Sequence, residues 1–235
     1  MEVCIAVSKV GKYATTDSGD TVEIVERPHG GLSVVMADGQ SSGKAAKWIS
    51  TMVVRKVIAL LAEGVRDGAT ARAASDYLYA ERNGKVSATL NIFSIDKQSE
   101  TLVVTRNNPV PVLLAVQEEI RSLEESSLPV GLYRGTRPSI IEVPLSAGIT
   151  AVMYTDGLVY AGDRTGEHMD VKAALQKLLD AEDPTPQYLA DGLLDNAVRL
   201  DRGRPTDDIS VVVLRVTSHT GDDVRRMSVR LPLNS

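Results

Sequence analysis

At 235 residues, 43% apolar and 24% charged, the chain is long enough to bury a substantial core and has the balance of a soluble globular protein. A net charge of −5 gives no general reason to expect nucleic acid or an anionic membrane as partner. No apolar run reaches the roughly 18 residues of a bilayer span, Met1-Glu2-Val3-Cys4 is no signal peptide, and a single cysteine excludes an internal disulfide. The cytoplasm is the expected compartment, with Cys4 a small buried residue of the first strand.

In chain order, Glu2 to Ser8 reads as a strand, Thr21 to Glu26 as a second and Leu32 to Ala37 as a third. The turn Arg27-Pro28-His29-Gly30-Gly31 would join the last two as a hairpin centred on His29, placing Asp20 roughly opposite Asp38 at the open end. From Gly43 to about Gly64 the period becomes helical, with Ala46, Ile49, Val53, Val57, Leu60 and Leu61 on one face. Ser41 and Ser42 are placed to cap that helix, and Gly64 to end it. A second helix, about Ala69 to Arg82, closes at Asn83-Gly84. Trp48 is expected to be a core or interface anchor, since no basic-aromatic alternation surrounds it.

A meander follows: Lys85 to Ile95, Glu100 to Arg106, Val110 to Val116, Glu119 to Leu123, Ser139 to Val143 and Ile149 to Thr155. Helices are expected at about Val171 to Ala181 and Gln187 to Leu200, then the strand Ile209 to Val216. Alternating Val224 to Leu231 is expected to form an edge strand guarded by Arg225, Arg226 and Arg230. No repeat or linker interrupts this order, so residues 1–235 read as one domain. Helix pairs set between runs of strands, without βαβ alternation, predict an α+β fold with antiparallel sheets.

The chemistry lies at strand ends. Asp20 and Asp207 precede strands, whereas Asp38 and Asp156 follow them, each of the latter before a glycine. In an antiparallel sheet the start of one strand lies beside the end of its neighbour, so all four carboxylates can converge on one edge. Such a cluster repels itself unless protons or cations neutralise it. Oxygen-only ligation, without Cys or His, points to Mg²⁺ or Mn²⁺ rather than Zn²⁺. Two ions about 3.5–4 Å apart would activate a water and orient a phosphate for in-line attack. Hydrolysis of a phosphoester is the reaction predicted.

The ordered series Ser18-Gly19-Asp20, Ala37-Asp38-Gly39, Tyr154-Thr155-Asp156-Gly157 and Thr206-Asp207-Asp208-Ile209-Ser210 resembles the metal-dependent protein phosphatases of type 2C, the PPM family. Ser87-Ala88-Thr89-Leu90 and Leu128-Pro129-Val130-Gly131-Leu132 are similar to the bacterial branch typified by the stage II sporulation phosphatase. The resemblance spans nearly the whole chain and implies an αββα sandwich, two antiparallel sheets flanked by helix pairs. It implies that Asp38 bridges two ions, Mn²⁺ or Mg²⁺, with the Gly39 carbonyl on one of them. Asp156 and Asp207 would complete the second ion's shell, with Asp20 acting directly or through water. The catalytic set is then Asp38, Asp156 and Asp207. The helices near 44–64 and 69–82 resemble the element that switches metal-site assembly in this branch.

With strand one beginning at residue 2 and no sensor domain before it, the chain most resembles the stand-alone stressosome phosphatase (RsbX type). That resemblance implies phosphoserine or phosphothreonine on STAS-domain stressosome partners as substrate. A non-catalytic phosphoprotein-binding regulator and a small-molecule phosphoesterase are the alternatives.

Two departures stand out. Gln40 occupies the place where many members carry a histidine, a proposed general acid; leaving-group protonation would fall to water. Asn107-Asn108-Pro109 replaces the family's Asn-x-Gly-Asp turn and puts a third metal site in doubt. Lys9 and Lys12, read as first-loop residues, are the nearest candidates for binding phosphate, and Lys44 reads as solvated. His29, His168 and His219 read as solvated, as do Asp163, Asp170 and the acidic run Glu118, Glu119, Glu124 and Glu125. Asp208 is either a strand cap or a residue that orients the metal shell.

Overall fold

The computed structural model describes residues 1–117, 119–218 and 221–233; Glu118 and His219 lie outside them. Among the described residues the strands form two five-stranded antiparallel sheets. One is ordered β1 (Glu2–Val10), β10 (Ile209–Thr217), β9 (Thr150–Tyr154), β6 (Val112–Val116), β7 (Glu119–Leu123). The other is ordered β2 (Asp20–Glu26), β3 (Leu32–Gly39), β4 (Ala88–Asp96), β5 (Thr101–Asn107), β8 (Ser139–Pro144). Helices α1 (Gly43–Ala62) and α2 (Asp67–Arg82) cover the second sheet; α4 (Val171–Leu179) and α5 (Pro186–Leu200) cover the first. This is the αββα sandwich.

Central strands are apolar on both faces because both faces are covered. In β3, Val34 and Met36 enter the core between the sheets, while Val35 and Ala37 meet α1 and α2. In β10, Val212, Leu214 and Val216 point between the sheets, and Val211 and Val213 toward α4 and α5. Alternation within an unbroken apolar run thus makes three stacked cores from two sheets. Each fully buried Val or Leu contributes about 1.5–3 kcal/mol.

Several expectations need correction. Val224–Leu231 is not a strand: Asp222 accepts from the Val224 N–H at 3.2 Å and holds the Arg226 guanidinium at 2.6 and 2.7 Å, so a local turn competes with ladder pairing. Trp48 is not in the core; it is 45% exposed with the Arg82 guanidinium 4.0 Å from its ring centroid. Cys4 is only partly buried. No side-chain bond from Ser42 caps α1. Strand β4 begins at Ala88 rather than Lys85, because Ser87 is bonded to Gln40 and Ala88 bridges to Val130. A short helix, α3 (Asp156–Val159), follows β9 where none was expected.

Candidate metal centre

The β2–β3 hairpin pairs Asp20 directly with Asp38, as the spacing required, with Glu26 opposite Leu32 across the His29 turn. In the other sheet Val211 pairs with Tyr154, so the start of β10 lies beside the end of β9, and the Thr155 N–H donates to the Ser210 carbonyl at 3.1 Å. Both sheets present these ends on the same side of the sandwich. Asp38, Gly39, Asp156, Asp207 and Asp208 line one cavity of about 290 Å³, rimmed by Gln40, Ser41, Ser87 and Pro129.

Asp20 is absent from that lining. It is fully buried beneath it and ties the sheets together: Ser210 Oγ donates to its Oδ2 at 2.6 Å and Thr155 Oγ1 at 3.1 Å. Its Oδ1 is buried without a hydrogen-bond partner. Two ammonium groups converge on its backbone carbonyl, Lys9 at 2.5 Å and Lys47 at 2.9 Å. Lys9 is therefore a residue of β1 held at Asp20, not a loop residue free for phosphate. Lys47, Thr155 and Ser210 are site residues that sequence reading did not assign. Thr155 and Ser210 sit inside quoted motifs, but their partner lies 135 and 190 residues away.

Asp208 resolves as a structural anchor. Its carboxylate accepts from the backbone N–H groups of Lys12 at 2.9 Å and Gly19 at 2.7 Å, fixing the loop that delivers Asp20. Two glycines allow the close packing. A Cβ on Gly39 would stand 2.1 Å from the Ala46 carbonyl oxygen, and one on Gly157 2.2 Å from that of Asp208. Gln40 is locked too, its Oε1 accepting from the Ser87 N–H at 2.9 Å and its hydroxyl at 3.2 Å. Asn107 and Asn108 are buried, Asn107 Nδ2 donating to the Leu128 and Arg137 carbonyls, and neither lines the cavity. His29 and His168 are exposed; His168 lies 2.8 Å from Asp163.

The electrostatics match the crowding. Burial, then Asp20, Asp156 and Asp207, push Asp38 up from 3.8 to about 9. Burial raises Asp20 to about 6 against the opposing Ser210 hydroxyl and Lys9. Burial, then Asp207, raises Asp156. Among the described residues no group of three or more His, Cys, Asp or Glu side chains is drawn together enough to hold one ion. The donor set fits hard divalent ions that take one or two carboxylates each, a carbonyl and otherwise water. Asp20's orphaned oxygen and the shared charge of Asp38, Asp156 and Asp207 call for such neutralisation.

A pH dependence follows for the metal-free protein. Asp38 binds its proton more tightly folded than unfolded, so its contribution to stability is complete below about 4 and is lost as pH rises toward 9. Retaining even one pKa unit of that shift is worth about 1.4 kcal/mol, or roughly 3–6 °C in Tm at this chain length. The chelator-treated protein should melt lower at pH 8 than at pH 5, where ordinary carboxylates no longer titrate. A flat or rising Tm over that interval would contradict the crowding.

A model of the family described as stage II sporulation protein E (SpoIIE) matches residues 28–217. The chain belongs to the SpoIIE family. It is 23% identical over 203 residues to stage II sporulation protein E of Bacillus subtilis (strain 168), covering 86% of this chain and 24% of that protein. The Priestia megaterium SpoIIE protein is 22% identical, with 86% and 34% covered. The chain thus spans about a quarter of one relative and about a third of the other. Its fold is similar to the PP2C phosphatase domain of B. subtilis SpoIIE with a fragment of its regulatory domain: TM-score 0.79, 21% identity, 92% and 64% of the two chains covered. It is also similar to RsbX in complex with magnesium, at TM-score 0.69 and 15% identity, with 91% and 94% covered. The RsbU and RsbW domains of Rv1364c from Mycobacterium tuberculosis match at TM-score 0.74 and 20% identity, with 93% and 62% covered. The expected fold and bacterial PPM branch therefore hold for this SpoIIE-family chain.

Proposed function

We propose that the chain, acting as one domain, is a serine/threonine phosphoprotein phosphatase that works with two hard divalent ions, Mn²⁺ or Mg²⁺. The observation that carries this reading is the meeting of Asp38, Gly39, Asp156 and Asp207, from two sheets, around one open cavity. When bound, the ions would supply charge neutralisation, orientation of the phosphoryl group and an activated water. Asp38 and the Gly39 carbonyl would hold them from one sheet, and Asp156 and Asp207 would complete the set from the other. Asp20 would act from beneath, with Ser210 and Thr155 holding its Oδ2. Gln40 is neutral and bonded to Ser87, so the leaving-group proton comes from water in this reading.

The substrate we propose is a phosphorylated regulatory protein, of the STAS-domain stressosome type. Its support is likeness in fold to RsbX and to a protein carrying RsbU and RsbW domains, an analogy between folds. The test compares Mn²⁺-dependent turnover of p-nitrophenyl phosphate with that of a phosphorylated STAS domain. The expected result is chelator-sensitive hydrolysis of both, with kcat/KM higher on the protein by roughly 10²-fold, about 2.7 kcal/mol of extra transition-state binding. Turnover of the small ester alone would make it a small-molecule phosphoesterase. Metal-dependent turnover of neither would leave a non-catalytic phosphoprotein-binding regulator.

A further inference from the structure

A second cavity, of about 360 Å³, adjoins the metal centre and is lined by Arg164, Thr165, Asp201, Arg202, Arg204 and Thr206. Thr206 faces this cavity and its neighbour Asp207 the metal pocket, so the two sites lie side by side. Three arginines border this one cavity, a concentration of like charge that an anion would relieve. Asp201 is the one carboxylate in the lining, and both its oxygens are taken, by the Gly162 N–H at 2.9 Å and the Thr206 N–H at 2.9 Å. Arg204 lies over the Tyr13 ring, 5.2 Å from its centroid. Among the described residues no ion pair engages Arg164 or Arg202.

The end of α5 fixes where Arg202 stands. This residue ends α5 in the left-handed region, φ +54, where glycine or asparagine fits best, and Gly203 follows at φ +75. This is the ordinary left-handed stop of a helix, which α2 also makes at Asn83. An arginine there is set at the cavity mouth by the helix terminus itself, where the Gly203 N–H closes onto the Val198 carbonyl at 2.8 Å.

We propose that this arginine cavity is an oxyanion site for a phosphoryl group distinct from the one being hydrolysed. Guanidinium forks match phosphate oxygens two at a time, and the volume lies in the range of small-ligand sites. The choice of phosphoryl over other anions rests on the phosphatase reading above. The group could be carried by the protein substrate, as a second phosphosite, or be free phosphate released by the reaction.

The test titrates inorganic phosphate into the chelator-treated full chain by calorimetry or ³¹P NMR; without metal, the clustered carboxylates of the first pocket repel phosphate. One saturable site is expected, weakened at least about tenfold in Arg164→Gln/Arg202→Gly, since one lost charge-assisted contact is worth at least about 1.4 kcal/mol. Glycine suits the φ at 202, so this variant should fold and hydrolyse p-nitrophenyl phosphate with Mn²⁺ as the wild type does. A raised KM on phosphoprotein with kcat unchanged would place the second phosphoryl group on the substrate. Weaker product inhibition with KM unchanged would make it released phosphate. No saturable uptake by the wild type, or uptake that the double variant keeps, overturns the proposal. Absence of p-nitrophenyl phosphate turnover in the wild type would instead count against the phosphatase reading, leaving the titration to judge the cavity.

Discussion

Asp38→Asn should abolish hydrolysis while leaving the protein folded and, without metal, more stable. Asp38 is the carboxylate on which the other three act: Asp20 faces it across the hairpin, and Asp156 and Asp207 raise its proton affinity from the opposite sheet. The amide keeps the shape of the side chain but cannot carry the charge that draws in a cation. At about 1.36 kcal/mol per decade, removing the carboxylate proposed to hold the ions, if worth at least ~4 kcal/mol, should lower turnover by roughly 10³-fold or more. The same change removes a buried charge from a repelling cluster, so the metal-free Tm should rise by a few degrees and its decline between pH 5 and pH 8 should largely disappear. Both are read from p-nitrophenyl phosphate assays and thermal melts on one preparation. Wild-type Mn²⁺-dependent turnover in this variant would sink the assignment of the centre.

Gly39→Ala should damage both the fold and the candidate metal centre. The new Cβ would lie 2.1 Å from the Ala46 carbonyl oxygen and 2.8 Å from its carbonyl carbon, both backbone atoms of the first turn of α1. No rotamer relieves such a contact; either the end of β3 or the start of α1 must move. Overpacking of this kind costs about 1–3 kcal/mol. The displaced backbone also carries the Gly39 carbonyl, so Mn²⁺ affinity should fall roughly 10–100-fold, as when supports of a metal shell are removed. Urea unfolding and calorimetric Mn²⁺ titration measure the two effects. Gly221→Ala, where a Cβ would meet open space, is the control. If Gly39→Ala matched that control, helix α1 would have no part in shaping the site.

How much of this was legible beforehand depends on the distance over which each cause acts. The hairpin pairing Asp20 with Asp38 was readable because eighteen positions of alternating strand and glycine turn permit one register. The two-sided burial of β3 and β10 was readable as unbroken apolar runs. The tail at 224–231 misled because alternation was its one local signal, while the deciding group, Asp222, acts on the backbone of the residues just after it. Trp48 misled because a large aromatic on a helix packs into a core or onto a neighbouring cation with the same spacing.

The amino-acid order alone determined which residue types stand at strand ends, and therefore that four acids and no histidine or cysteine are offered to a cation. That follows from periodicity, a property of neighbours along the chain. Folding decided that Asp38, Asp156 and Asp207 face one cavity, that Asp20 lies beneath them as the bond between sheets, and that Lys9 and Lys47 meet at its carbonyl. It decided equally that three arginines share a hollow next door. These depend on how two sheets stack, a packing of whole surfaces that no local window of residues encodes.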